Sequence, residues 1–174
     1  MHEALDEIVE RSLRQFAKKT LQEKWWGKEH DWVNLYTHGY LTKYCKPGSP
    51  LYDPGQIGIE VGVPQPPGYK KKGVLRDIVI WRDPGTTCWD SEWKAVRHPL
   101  AILEWKVHRP GRRNREVHKE REWLRQYCAW QQNVVAYAIE VDTATKPSVL
   151  RCTRFYGETE NQSWLNLEGV EANI

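Results

Sequence analysis

The sequence lacks long apolar segments, paired cysteines and a strong excess of charge of one sign. No apolar run reaches the roughly 18 residues that a membrane-spanning helix needs, so we predict no membrane partner. The first residues, Met-His-Glu-Ala-Leu-Asp-Glu, have neither the basic start nor the apolar stretch of a secretion signal. The cysteines are Cys45, Cys88, Cys128 and Cys152. Their wide spacing argues against a zinc site and against a disulfide framework, and it predicts a cytoplasmic protein.

Phenylalanine is also scarce, whereas tryptophan and tyrosine are abundant. The chain has ten tryptophans and eight tyrosines against two phenylalanines, which indicates interior or groove aromatics that carry a polar atom. The net charge of +3 is too small to indicate a nucleic-acid partner by itself. A length of 174 residues predicts one domain, 1–174, with a core of respectable size.

Hydrophobic periodicity predicts the order helix, strand, strand, strand, helix, strand, strand. The predicted helices are 3–24, 28–45 and one that ends near 132, and the predicted strands are 56–65, 74–81, 100–107, 134–141 and 149–156. Residues from 158 onward are polar and are expected to form a short tail or a last edge element. We therefore predict an α/β fold of the α+β kind, with a central mixed sheet of about five strands flanked by helices. Its core would span about 28–141, followed by a C-terminal strand and tail at 149–174.

A carboxylate and an amine lie two residues apart in the apolar strand Leu100-Ala-Ile-Leu-Glu-Trp-Lys-Val107. Because alternate residues of a strand share a face, Glu104 and Lys106 point to the same side. Burying such a pair is costly unless a metal, a substrate or other charges satisfy it. An exposed cross-strand ion pair is the alternative explanation.

Asp77 lies in the middle of the preceding predicted strand. Because segments joined by short connections usually lie side by side, Asp77, Glu104 and Lys106 can meet on one face of the sheet. Two carboxylates and an amine are the groups that metal-assisted hydrolysis of a phosphodiester needs. The carboxylates hold Mg²⁺, for which Mn²⁺ would substitute, the metal acidifies a bound water, and the lysine orients that water or stabilises the developing charge.

Two glutamates compete to be a third acid at this site. A helical projection places Glu29 on the packed side of the second helix, at its first turn, where the helix dipole favours a carboxylate. Glu60 lies on a strand face that is otherwise made of glycines, where a metal or a nucleic-acid backbone can approach closely. The opposite face of that strand is predicted to carry Ile57, Ile59, Val61 and Val63. We rank Glu29 above Glu60.

With these residues placed, the sequence resembles the PD-(D/E)XK phosphodiesterases, which have the restriction-endonuclease-like fold. Arg76-Asp77 resembles the end of the first half of the family motif, and Glu104-Trp105-Lys106 resembles the second half. The resemblance covers roughly residues 28–141 and implies a restriction-endonuclease-like core. It implies the catalytic residues Glu29, Asp77, Glu104 and Lys106, and the Mg²⁺ ligands Asp77, Glu104 and Glu29, with Glu60 as the competing third acid. Arg76 replaces the motif's proline, a residue that takes no part in the chemistry.

Basic residues flank the proposed site in two segments. Lys70, Lys71 and Lys72 occupy a predicted hairpin loop, and Arg109, Arg112, Arg113 and Arg115 follow the strand of Glu104. Both segments are candidates to contact the phosphates of a nucleic acid, for which we predict DNA rather than RNA. A chain without a separate recognition domain would suit a homodimer.

Three functional hypotheses are compatible with these residues. The first is a Mg²⁺-dependent endonuclease or phosphodiesterase that hydrolyses nucleic acid. The second is a catalytically inactive protein of the same fold that binds nucleic acid or a protein partner. The third is an unrelated α+β domain whose buried charges form a structural ion network.

Overall fold

One mixed sheet of six strands forms the centre of the molecule. The computed structural model of the chain describes residues 2–22, 27–110 and 117–169. The helices are α1 (His2–Thr20), α2 (Glu29–Gly39) and α3 (Val117–Trp130). The strands are β1 (Ile57–Pro64), β2 (Gly73–Ile80), β3 (Ala101–His108), β4 (Val135–Asp142), β5 (Val149–Tyr156) and β6 (Thr159–Glu168). The predicted α/β fold with a mixed sheet flanked by helices is confirmed.

The strands are arranged across the sheet in their order along the chain. Neighbouring strands are antiparallel, except that β3 and β4 run parallel. A parallel pair needs a long crossover connection, and α3 supplies it. The segment between β2 and β3 is irregular, with a single bridge between Trp89 and Ala95. Among the described residues, none of the helices combines the length and the apolarity needed to cross a bilayer.

Each face of the sheet is covered by helices with an apolar side. On one face, α1 and α2 bury Phe16 and Tyr36 against Trp105 of β3. On the other face, α3 buries Trp123 and Tyr127 with side chains of β2, β3 and β4. The spacing of the buried residues on α1 follows the helical period, which explains why the sequence predicted this helix. Those residues include Leu5, Val9, Leu13 and Phe16.

The predicted strands and the third helix agree with the structure to within about two residues, and larger differences occur at two helix ends and at the C-terminal segment. The second helix ends at Gly39 instead of residue 45, and a 3₁₀ helix at Leu41–Tyr44 follows it. The amino-terminal helix ends at Thr20, and residues 23 and 24 of its predicted span lie outside the described residues. Residues from 158 onward, predicted to form a short tail or a last edge element, form the edge strand β6, which raises the number of strands from about five to six. β6 pairs on one side with β5 and is largely exposed, which explains its polar composition.

The alternation of side chains in β1 reverses at Glu60. Ile57 and Ile59 pack on the α1–α2 face, whereas Val61 and Val63 pack on the α3 face. The prediction that these four apolar residues share one face is therefore wrong. Glu60 has a φ of 53°, in the left-handed region, and this conformation interrupts the two-residue period of an extended strand.

Candidate active site

The alternation of side chains between the two faces of the sheet also reverses in β2, at Asp77. The guanidinium carbon of Arg76 lies 3.7 Å from the ring centroid of Trp123 on α3, and Val79 packs in the same cluster as Trp123. In a regular strand, two residues that are three positions apart would face opposite sides. The side chains of β2 change from one face of the sheet to the other at Asp77. Asp77 lies opposite Glu60 of β1, between the pairs Ile59–Ile78 and Val61–Arg76 of the β1–β2 ladder.

Asp77 also lies where β2 and β3 stop pairing. The recorded β2–β3 register runs from Ile80–Ala101 to Ile78–Leu103, one residue short of Asp77. The Oδ2 atom of Asp77 accepts a hydrogen bond of 2.7 Å from the backbone N–H of Trp105 on β3. A side chain thus satisfies a main-chain donor at the point where the two strands separate, and it holds the carboxylate beside Glu104 and Lys106.

Lys106 makes most of the polar contacts at the point where β2 and β3 stop pairing. Its amine donates to Oε1 of Glu29 at 3.0 Å and to the carbonyl oxygen of Trp105 at 2.8 Å. It also lies 3.6 Å from Oε1 of Glu104. The Lys106 side chain is 12% exposed, so its charge is compensated by carboxylates more than by water.

Glu29 connects the first residue of α2 with the end of β3. Its Oε2 atom accepts the backbone N–H of Val107 at 3.1 Å, while its Oε1 atom accepts from Lys106. Glu60 is turned elsewhere: its Oε1 atom lies 2.9 Å from Nδ1 of His30, in a pair exposed to solvent. The structure thus brings Glu29, and not Glu60, to the amine of Lys106.

Glu104 is the most deeply buried acid of the site, with 8% of its side chain exposed. Its Oε2 atom lies 3.3 Å from Nη1 of Arg76, yet it accepts no hydrogen bond among the described residues. The same Nη1 atom donates to Glu120 of α3 in a short contact. Arg76 is therefore shared between the acid on β3 and the acid on the helix above it.

The surroundings raise the pKa of both carboxylates. Burial raises the pKa of Glu104 to about 7, and the charge of Asp77 adds to this, while Arg76 and Lys106 oppose it. Burial also raises the pKa of Asp77, although the hydrogen bond from Trp105 opposes the shift. Burial lowers the pKa of Lys106, but the neighbouring carboxylates outweigh burial and the net shift is upward. The lysine therefore stays protonated, and the two carboxylates repel each other.

That Asp77 and Glu104 hold Mg²⁺ stays a prediction, and it needs fewer protein ligands than a closed metal site would. Mg²⁺ in proteins commonly takes one or two carboxylates and keeps several waters, and the Oε2 atom of Glu104 has an unused acceptor position. Among the described residues, no three His, Cys, Asp or Glu side chains are grouped so that they could hold a metal. That Glu29 or Glu60 supplies a third ligand stays a prediction.

The predicted nucleic-acid contacts have different surroundings. Lys70, Lys71 and Lys72 are exposed in the β1–β2 loop. The Arg109 guanidinium donates to the carbonyl oxygen of Gly27 in a short contact, so this side chain joins the end of β3 to the start of α2. Arg112, Arg113 and Arg115 lie outside the described residues.

The sequence did not indicate the contacts of Arg76 and Glu120. In the sequence, Arg76 replaces the motif's proline and forms a charged pair with Asp77 in the middle of an apolar strand. An arginine in such a strand is itself a sign of a buried partner, but it does not say which residue the partner is. Glu120 has no such sign, because it lies in a charged segment and meets Arg76 only through the packing of α3 on the sheet.

Comparisons with protein-family models, with curated proteins and with solved structures give no match for this chain. The fold and the site are therefore the basis for assigning a function. The fold is a mixed sheet flanked by helices, and two carboxylates and a lysine lie where the central strands β2 and β3 separate.

Proposed function

We propose that this protein is a Mg²⁺-dependent phosphodiesterase that hydrolyses nucleic acid, with DNA preferred to RNA, as the resemblance to the PD-(D/E)XK phosphodiesterases implies. One observation carries the proposal: the amine of Lys106 lies 3.0 Å from Glu29 and 3.6 Å from Glu104, beside the half-buried Asp77. Three separate segments of the chain supply these four residues, all of which were selected from the sequence.

Each residue has a role in this chemistry. Asp77 and Glu104 hold Mg²⁺, which supplies charge neutralisation at the scissile phosphate and a bound water of lowered pKa. Lys106 orients the attacking water or stabilises the charge that develops on the phosphate. Glu29 and the carbonyl oxygen of Trp105 fix the position of the amine, which preorganises it before substrate binds.

The exposed lysines of the β1–β2 loop contact the phosphates of the substrate in this proposal. The cytoplasmic location and the homodimer stay predictions from the sequence. Mn²⁺ replaces Mg²⁺ without a change of ligands, because both ions take carboxylate and water oxygens.

The inactive binding protein is the second candidate, and the contact between Arg76 and Glu104 favours it. Arg76 and Lys106 together place two cations against the buried carboxylate, so the acid is already compensated without a metal. A buried network of this kind can be retained for structure alone. The two candidates differ in whether a divalent ion competes successfully with these cations for Glu104.

Thermal unfolding with and without Mg²⁺ or Mn²⁺ tests whether the acidic pair binds metal. Wild type should gain melting temperature with either ion, because a ligand that binds the folded state alone stabilises it. Asp77→Asn should lose this gain while the metal-free protein keeps or increases its stability, since one of two repelling charges is removed. Asp83→Asn is the matched control, because Asp83 is an exposed aspartate beyond the end of β2. An equal gain in wild type and Asp77→Asn would exclude the proposed site.

A further inference from the structure

An open groove of about 350 Å³ lies between the β1–β2 loop and the first turns of α3. This volume falls within the range of roughly 300–1,000 Å³ that is usual for small-molecule sites. Tyr69 and Gln65 line it from the loop, Val74 and Arg76 from β2, and Lys119 and Trp123 from α3. None of these side chains has a role in the proposed metal chemistry, although Arg76 contacts Glu104.

An exposed aromatic ring marks the rim of the groove. Tyr69 is 40% exposed. Trp123, by contrast, is 3% exposed, with the Arg76 guanidinium on its ring and Tyr127 stacked against it at 4.8 Å. Tyr69 is therefore the aromatic side chain of the lining that a planar ligand can reach, and the half-buried Val74 adds apolar surface.

The polar groups of the groove suit a neutral heterocycle better than an anion. Two acids, Glu120 and Glu122, accompany Arg76 and Lys119, so positive and negative charges balance along the lining. Gln65 accepts a hydrogen bond of 2.6 Å from the indole N–H of Trp123 through its Oε1 atom. This bond fixes the orientation of the amide, whose two N–H donors are the groups that Gln65 can offer to a ligand.

Positive charge that is not balanced by acids of the lining lies beside the groove. Lys70, Lys71 and Lys72 follow Tyr69 directly and are exposed. Arg76 connects the other end of the groove to the proposed site, since its Nη1 atom lies 3.3 Å from Glu104. An aromatic face, base-edge donors and acceptors, and a row of cations just outside match a nucleotide whose base enters the groove while its phosphates follow the lysines.

We infer, on the basis of the proposed phosphodiesterase function, that this groove binds an unpaired nucleobase and that the substrate is single-stranded DNA or a DNA with an unpaired end. A base inside a duplex is stacked and paired, so its face cannot reach the ring of Tyr69 unless the base first leaves the helix. The groove therefore selects for bases that are already unpaired, and its Arg76 end lies next to Glu104 of the acidic pair.

Binding measurements in Ca²⁺, with fluorescein-labelled single-stranded DNA and the matching duplex, test this inference without cleavage. Tyr69→Ala should weaken binding of single-stranded DNA by roughly 5- to 150-fold, because stacking of one base contributes about 1–3 kcal/mol. Tyr52→Ala is the matched control, since Tyr52 is also 40% exposed but lies in another loop, with its hydroxyl donating to Asp83. The control should bind as wild type does, and Tyr69→Ala should leave duplex binding unchanged.

A single-stranded DNA that contains abasic positions completes the test. Wild type should bind it as weakly as Tyr69→Ala binds the intact strand, and the two changes together should cost no more than either alone. Equal affinities of Tyr69→Ala and Tyr52→Ala, or abasic DNA bound as tightly as intact DNA, would overturn the inference.

Cleavage of the same DNA in Mg²⁺ separates the two proposals. If wild type cuts the strand while Tyr69→Ala binds it normally, the groove assignment is wrong and the phosphodiesterase stands. If Tyr69 and the bases govern binding but no variant cuts, the groove is a base-binding site and the catalytic proposal fails.

Discussion

Glu104 is the residue at which folding and the proposed chemistry conflict most directly. Burial beside Asp77 raises its pKa from the ordinary 4.5 to about 7, so the folded protein holds this proton more tightly than the unfolded chain does. The stabilisation that comes from the protonated acid is complete below pH 4.5 and is lost as the pH rises through about 7. A bound divalent ion would compensate the charge that remains above this pH.

Comparison of wild type with Glu104→Gln checks this pH dependence. The free energy of unfolding of wild type should fall relative to Glu104→Gln as the pH rises from 4.5 to above 7, by up to about 3 kcal/mol in the presence of a chelator. Glu104→Gln carries no titrating group at this position, so its free energy of unfolding should fall less over the same pH range. Urea unfolding across this pH range measures both proteins, and parallel profiles would contradict the raised pKa.

The periodicity of single strands and helices was sufficient to select the acids and the lysine of the site, but not to pair Arg76 with Glu120. Strand alternation placed Glu104 and Lys106 on one side, and in the structure they approach to 3.6 Å. The helical projection placed Glu29 on the packed side of α2, and it meets Lys106 across a sequence separation of 77 residues. Arg76 and Glu120 could not be paired in the same way, because their contact depends on how α3 docks on the sheet.

At the scale of elements, the reversals in β1 and β2 shape the site. A regular β2 would turn Arg76 and Val79 to opposite faces, whereas in the structure both meet the α3 side. The sequence could not reveal the matching reversal in β1. Ile57, Ile59, Val61 and Val63 are apolar at every second position, and this pattern is the same whether or not one residue between them is left-handed.

Replacement of Glu60 measures the strain at this reversal. Glycine adopts a positive φ without strain, whereas a residue with a Cβ atom is destabilised by roughly 1–2 kcal/mol in this left-handed conformation. Glu60→Gly should therefore be more stable than Glu60→Ala by about 1 kcal/mol, and both variants lose the contact with His30 equally. Chemical denaturation of the two proteins gives the difference.

Arg151, an exposed residue in the middle of β5, is the matched control for this comparison. Here glycine should be less stable than alanine by about 0.5–1 kcal/mol, as in an ordinary strand. If glycine were the less stable residue at position 60 as well, β1 would not carry a left-handed residue there.

At the scale of the whole molecule, the site exists only in the folded chain. α2, β2 and β3 each contribute part of it, and β3 belongs to both hydrophobic clusters, with Trp105 on one face and Ile102 on the other. The mixed sheet and its flanking helices followed from hydrophobic periodicity. For the sixth strand, periodicity left a last edge element and a short tail both open, because an edge strand with mostly exposed side chains has the composition of a polar tail.

Two measurements on one set of variants test the central claim: single-turnover cleavage of DNA in Mg²⁺, and DNA binding in Ca²⁺. Lys106→Ala should cut about 100-fold or more slowly, while its DNA affinity stays within a few-fold of wild type, because the amine acts on the transition state. The triple variant Lys70→Ala, Lys71→Ala, Lys72→Ala should bind more weakly, with a shallower salt dependence, and should cut at a similar rate at saturation. Cleavage by Lys106→Ala at the wild-type rate, or a wild-type protein that binds DNA tightly and never cuts it, would contradict the account.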